Sequence, residues 1–383
     1  MSAAGRYVAF TSRASNLVPA DTNDVEDIFV RDRRTGETTR ISVSSTGAQS
    51  NGASVFPSMS ANGRYVSFHS WANNLVDGDA NGVADVFVHD RTSGLTIRVS
   101  VDSLGTEADL GGSHSAISAN GRYVVFESSA SNLVAGITDA LGQLDVFVHD
   151  LKKRETTRVS MNGAGFPPNG HCGRPSISAN GRCVAFQSGA TNLDPADSNG
   201  VDDVFVHDRK AGWTRRVSIR SDGAEQTEHA FIPTISASGR HISFHSLGSF
   251  VGDDTNGSYD VFVHDLKAET TTRASVASDG TEANSDSFEN SLSANGRYVA
   301  FYSFADNLTN DDSGDHPDVF VHDRKTGKTF RVSTASSGAE ANGDSSQIKL
   351  SGNGRFAAFA STATNLSSID TNDAWDVFVR IVK

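Results

Sequence analysis

Five stretches of the chain place Asp, Asn and Asp at positions 1, 3 and 7 of a short loop. They are Asp21/Asn23/Asp27, Asp79/Asn81/Asp85, Asp197/Asn199/Asp203, Asp254/Asn256/Asp260 and Asp370/Asn372/Asp376. Carboxylates and amide carbonyls are the hard oxygen donors that calcium collects, about six to eight at a time. The same residues also close Asx turns, in which the side chains bond backbone amides. The loops are therefore read two ways, as a partial calcium cage or as turn chemistry alone. Two further loops depart from the pattern: one keeps Asp139 and Asp145 around an insertion, the other keeps Asp312 and Asp318 but has Gly314 in place of Asn. Close behind come His-Asp pairs, at His89, His149, His207, His264 and His322, each followed by Asp. A histidine oriented by a carboxylate can serve as a general base. Arg31 and Arg380 stand at the same place in two other units, however. Interchange with an always-charged guanidinium suits a framework residue and not a base tuned near neutrality.

What positions these residues is an internal repeat. Gly-Arg recurs at Gly5, Gly63, Gly121, Gly181, Gly239, Gly296 and Gly354, in steps of 57 to 60 residues. Each full unit holds four short apolar-polar alternating runs separated by turn-formers such as "ANG" and "DRKAG", and no run has helical periodicity. The pattern predicts four antiparallel strands, A to D, in each of seven units. The expected fold is all-β: a seven-bladed β-propeller of four-stranded antiparallel blades over residues 1–383, read as one domain. Fourteen of the 22 phenylalanines fall at two repeat positions, one ending strand B and one within strand C. Layers of these rings are expected to pack adjacent blades together.

The repeated "PSIS-ANGR-VAF-S" and "DVFVHDR-TG-T-RVS" resemble the TolB-type (WD-like) propeller repeat of bacterial envelope and secreted proteins. The resemblance spans essentially the whole chain. It implies the propeller fold and an extracytoplasmic setting, periplasmic or secreted. It implies no single function, because such propellers serve as platforms, enzyme scaffolds and accessory domains. The first unit lacks nearly all of strand A and the last stops in strand C, so the terminal blades are expected to be incomplete. The ends read as trimmed from a longer secreted protein whose signal peptide is not in this chain.

Groups present in every unit are expected to be framework. These are the Arg after each turn glycine, the Arg of each strand D, the Asp closing strand C and the Ser after strand B. Cys172 and Cys183 lie out of register for a disulfide. A net charge of −13 excludes a basic nucleic-acid face, and no apolar run is long enough to span a membrane.

Positions that differ between units are the better candidates for a function performed once. At the end of the propeller where the B–C and D–A loops lie, these are His69, Trp71, His114, Glu127, Arg174, His171, His229, His245, Glu289, Tyr302 and Phe304. The mixture suits a polar ligand, with Trp71 or Tyr302 stacked on a sugar face. The expected function is a non-catalytic, monomeric binding or scaffold propeller for a protein or glycan, with calcium in its B–C loops as a stabilising cofactor. The alternative is a metal-dependent polysaccharide lyase or glycosidase. It requires His69, His114, His171, His229 or His245 to meet around one ion.

Overall fold

A computed structural model of the chain describes residues 1–135, 142–372 and 374–382. Among these residues are 26 strands, grouped into seven antiparallel sheets of strands consecutive in the chain. Five sheets have four strands, while the first and last have three. The protein is an all-β seven-bladed β-propeller. No helix of the described residues is long and apolar enough to cross a membrane. The chain divides into two compact units, residues 1–198 with 206–215 and residues 199–205 with 216–383. Each has its own buried apolar clusters.

Blade two shows how the repeat folds, with strands Ser54–Met59, Tyr65–Ser70, Asp85–Asp90 and Leu95–Arg98. In the A–B turn, Ser60 Oγ accepts from the Tyr65 amide at 3.0 Å and Asn62 Oδ1 from the Arg64 amide at 3.0 Å. The turn glycine of the next blade, Gly121, has φ 71°, and a Cβ there would lie 2.3 Å from Tyr65 Cδ2. Glycine is thus required twice over, for its left-handed backbone and for the approach of its neighbour's ring.

The phenylalanines stack within a blade. Phe68 and Phe87 face each other across strands B and C with centroids 5.9 Å apart, and Phe10/Phe29, Phe126/Phe147, Phe301/Phe320 and Phe359/Phe378 repeat the contact at 5.8–5.9 Å. In blades two, three, six and seven the stack packs on the strand-C aliphatics of the preceding blade, as Phe68 and Phe87 do on Ile28 and Val30. The seam between blades is therefore ring against aliphatic, not ring against ring.

The repeated polar groups bond as framework. Arg64 forks onto Asp90 at 2.8 and 2.6 Å, and Arg122–Asp150 and Arg297–Asp323 copy it. These guanidinium bonds hold Asp90 and Asp323 well below the usual carboxylate range. Ser70 Oγ accepts from the Ala72 amide at 3.1 Å, closing the turn after strand B. His207 Nδ1 lies 3.0 Å from Thr214 Oγ1, and burial pushes its pKa down to about 4. A histidine held neutral in the sheet and bonded to a threonine is structural. Both cysteines are free and buried.

Candidate functional site

The acidic loops fold around an arginine. In blade two, Arg98 NH1 lies 3.4 Å from Asp79, 3.2 Å from Asp85 and 2.8 Å from Glu107. Blade five repeats this with Arg273 among Asp254, Asp260 and Glu282, and blade six with Arg331 among Asp312, Asp318 and Glu340. In blade one Arg40 meets Asp21, Asp27 and the amide of Gln49, and in blade four Arg216 meets Asp203 and Glu225. Asp197 is buried and brings a carboxylate oxygen within 4.8 Å of those of Asp203 and Glu225. The loop asparagines are committed as well. Asn81 donates to Asp85 at 3.0 Å and to the Ala108 carbonyl at 3.0 Å, while its Oδ1 accepts from the Val83 amide at 3.0 Å. Asn23, Asn199 and Asn256 make the same set. Asn372 Oδ1 accepts from the Ala374 amide, and Asp139 lies outside the described residues.

Carboxylates of Asp79/Asp85/Glu107, Asp254/Asp260/Glu282 and Asp312/Asp318/Glu340 converge to within 4.8 Å, close enough to hold a metal ion. The guanidinium already stands among them. Burial, with help from neighbouring carboxylates, raises Asp79 and Asp260 to about 6 and Asp318 to about 7. The sequence reading missed the glutamates. Their signal was a fixed spacing: Glu107, Glu225, Glu282 and Glu340 each follow the strand-D arginine by nine residues.

The variable positions gather into two groups, one in each unit. In the first unit the start of strand A carries Phe56, His114 and Arg174 in successive blades, with φ of 54°, 42° and 50°. A β-bulge in each blade, such as that between Ser113 and Ala116, puts these residues in left-handed backbone and re-aims their side chains. The same left-handed residue recurs at Ile232, Glu289 and Gln347, so the bulge belongs to the repeat and only the side chain it presents varies. His114 Nδ1 is 2.6 Å from Glu127 Oε1 and its Nε2 is 2.8 Å from Arg174 NH1. Arginine can only donate, so Nε2 carries the lone pair and Nδ1 donates its hydrogen to Glu127. Glu127 also accepts from the Arg174 amide at 2.7 Å and from Ser113 at 3.0 Å. Burial raises its pKa, but these bonds outweigh burial and leave it lowered. A Cβ on Gly173 would lie 2.7 Å from Glu127 Oε2, so a side chain there would push that carboxylate from its present seat.

Aromatic rings complete this group. Phe56 lies 5.3 Å from the His69 ring and 4.9 Å from His114, and Trp71 stands edge-on to His69 at 4.8 Å. His69 is 3% exposed, its Nδ1 has no hydrogen-bond partner, and burial lowers its pKa to about 4. Trp71 and Phe56 are 55% and 53% exposed. The arrangement is a neutral imidazole floor, a polar wall in which His114 bridges Glu127 and Arg174, and two open aromatic faces.

In the second unit His245 is buried among Phe231, Tyr259 and Phe288 at 5.7–6.0 Å, and burial lowers its pKa to about 4. Phe288 continues to Tyr302 at 5.7 Å and to Phe304, which is half exposed. Glu289 starts strand A of blade six at φ 42°. His229 joins this group by stacking on Phe231 at 5.5 Å, while its Nδ1 accepts from the Asp202 amide at 2.9 Å, and His171 accepts from the Leu144 amide at 3.1 Å. Among the described residues, every group of three or more converging metal-ligating side chains is made of carboxylates. The histidines therefore supply no such group.

No family model matches the chain, and no curated protein matches it. Solved structures do resemble it. An oligogalacturonate lyase in complex with manganese is 12% identical with a TM-score of 0.60, over 100% of this chain and 88% of that one. The propeller domain of the Trilobed protease from Pyrococcus furiosus is 11% identical with a TM-score of 0.56, over 98% and 90%. TolB from Acinetobacter baumannii is 13% identical with a TM-score of 0.47, over 85% of this chain and 63% of that one. The shared feature is the β-propeller. At such identities the likeness carries the fold and no activity.

Proposed function

We propose that the chain is a non-catalytic binding propeller, working outside the cytoplasm, whose variable face in the first unit takes a glycan. The observation that carries this reading is the pair of open rings, Trp71 and Phe56, set against His69, His114, Glu127 and Arg174. A sugar offers an apolar face to such rings and hydroxyls to such a wall, while protein partners are expected to prefer broader surfaces. No observation favours the lyase or glycosidase reading over this one, since the rim histidines are spent on one another's neighbours, on backbone amides or on burial.

The acidic loops enter this reading as fasteners closed by guanidinium, with calcium as the competing account of their stability. Calcium stabilisation expects the melting temperature to fall on rigorous chelation, whereas the guanidinium account expects no change. The function itself is tested by a glycan screen covering neutral and uronic-acid oligosaccharides, followed by calorimetry on Trp71→Ala. Loss of a central aromatic anchor is expected to weaken binding about thirtyfold. Retention of no glycan, or undiminished binding by Trp71→Ala, refutes the proposal.

A further inference from the structure

We infer that the seam between blades five and six binds a phosphate or sulfate group, at the end of these blades where the A–B and C–D turns lie. A pocket of about 460 Å³ opens there, lined by His241, Asn295, Gly296, Arg297, Arg324 and Lys325. All six residues belong to the second unit. Three of them are cations, in a chain whose net charge is −13.

The pocket lies where the repeat changes a ring. Strand B opens with tyrosine in blades one, two, three and six, at Tyr7, Tyr65, Tyr123 and Tyr298, but with His241 in blade five. An arginine of the next blade covers two of those tyrosines: Arg91 lies 4.5 Å above the Tyr7 ring and Arg209 4.7 Å above that of Tyr123. Each of these arginines also donates to a turn-glycine carbonyl, Arg91 to Gly63 at 2.8 Å and Arg209 to Gly181 at 2.7 Å. Arg324 makes the same bond to Gly296 at 2.7 Å, yet an imidazole stands where the phenol would. The near edge of the ring keeps its place. A Cβ on Gly296 would lie 2.3 Å from His241 Nδ1, as one on Gly63 would lie 2.3 Å from Tyr7 Cδ2. The imidazole is the shorter ring, so the space at the phenol end stays open.

Open cations line that space. Among the described residues neither Arg324 nor Lys325 forms an ion pair. Burial lowers the pKa of Arg324, and the carboxylate that opposes this, Asp265, is already forked by Arg240 at 2.6 Å on each oxygen. Arg297 is committed to Asp323, so the charge on offer is that of Arg324 and Lys325. Asn295 adds a donor. Its Oδ1 accepts from the Arg297 amide at 3.0 Å and from Ser293 Oγ at 2.8 Å, which leaves its NH2 group unpaired among the described residues. A guanidinium, an ammonium and an amide together match a group with negative charge and several acceptor oxygens. Phosphate and sulfate have both. A carboxylate offers two oxygens to three donors, and a neutral ligand leaves the half-buried guanidinium uncompensated.

The probes are sodium phosphate and sodium sulfate, titrated separately into the 383-residue protein by calorimetry, with sodium chloride at equal ionic strength as the control. Saturable binding is expected with a dissociation constant of about 1 mM or below, the equivalent of two or three charge-assisted hydrogen bonds. Either anion binding the more tightly supports the proposal and names the ester to be sought. Arg324→Met is expected to weaken binding about tenfold or more. His241→Tyr installs the repeat's own ring, so it keeps the fold while filling the pocket, and is expected to abolish binding. In protein labelled with [13C]histidine, the resonance that His241→Tyr removes is expected to shift with anion. No saturation by either anion at tens of millimolar, an equal response to chloride, or undiminished binding by either variant overturns the proposal.

Discussion

Replacing Arg98 by methionine removes the one cation from a pocket holding Asp79, Asp85 and Glu107. The guanidinium is 9% exposed and the carboxylates 4%, 0% and 20%, so solvent screens little of the loss. At separations of 2.8–3.4 Å each contact has a gross attraction of about 5 kcal/mol with an effective dielectric near 20. Uptake of protons caps the damage, because the carboxylates neutralise before they bear the whole repulsion. The expected cost is therefore that of breaking a buried pair, about 3–5 kcal/mol at pH 8. The pH dependence follows from the sign of the shifts. Asp79, already raised to about 6, rises further without its cation, so the folded variant binds protons that the unfolded chain releases. Stability of the variant accordingly falls as pH rises from about 5 to 8, and its deficit against the wild type shrinks at pH 5. Urea denaturation at both pH values measures this. Millimolar calcium is expected to restore part of the deficit in Arg98→Met and to leave the wild type unchanged. A deficit below about 1 kcal/mol at pH 8, or equal calcium stabilisation of both proteins, refutes the reasoning.

Gly121→Ala is expected to destabilise by about 1–3 kcal/mol in denaturant, because the new methyl meets the Tyr65 ring and the backbone stays left-handed. His207 is expected to show no imidazole titration by NMR between pH 5 and 8. Its depressed pKa makes folding lose stability below the unfolded value near 6.5, by about 2 kcal/mol at pH 5, and His207→Gln removes that loss. Asp90, held low by Arg64, contributes stability that is present above about pH 4 and lost as pH falls further. Asp90→Asn should flatten that acid limb in a thermal melt series.

The fold was legible because every blade repeats the same instructions. Alternating strands, turn glycines and stacked phenylalanines each occur at fixed spacing, so comparison of units separated framework from the rest. The arginine at the heart of each acidic loop was not legible as such. Strand D and the B–C loop are joined by folding, and Arg98 lies 13 residues beyond Asp85 and 19 beyond Asp79. The rim was legible in part. His69, Trp71, His114, Glu127 and Arg174 were singled out because they vary, and the structure brings them together. His171 and His229 occupy equivalent places by sequence and both accept from a backbone amide, but His229 also stacks on Phe231 in the second group. Phe56, Phe231, Tyr259 and Phe288 complete the two groups through bulges and ring contacts that spacing alone does not encode.

The glycan-binding claim is tested most directly with 5-fluorotryptophan protein, whose three tryptophans at 71, 213 and 375 give separate fluorine resonances. Trp71→Phe assigns the first. Addition of a glycan retained in the screen is predicted to shift the Trp71 resonance saturably and to leave Trp213 and Trp375 in place. A shift confined to Trp213 or Trp375, or none at all, contradicts the account.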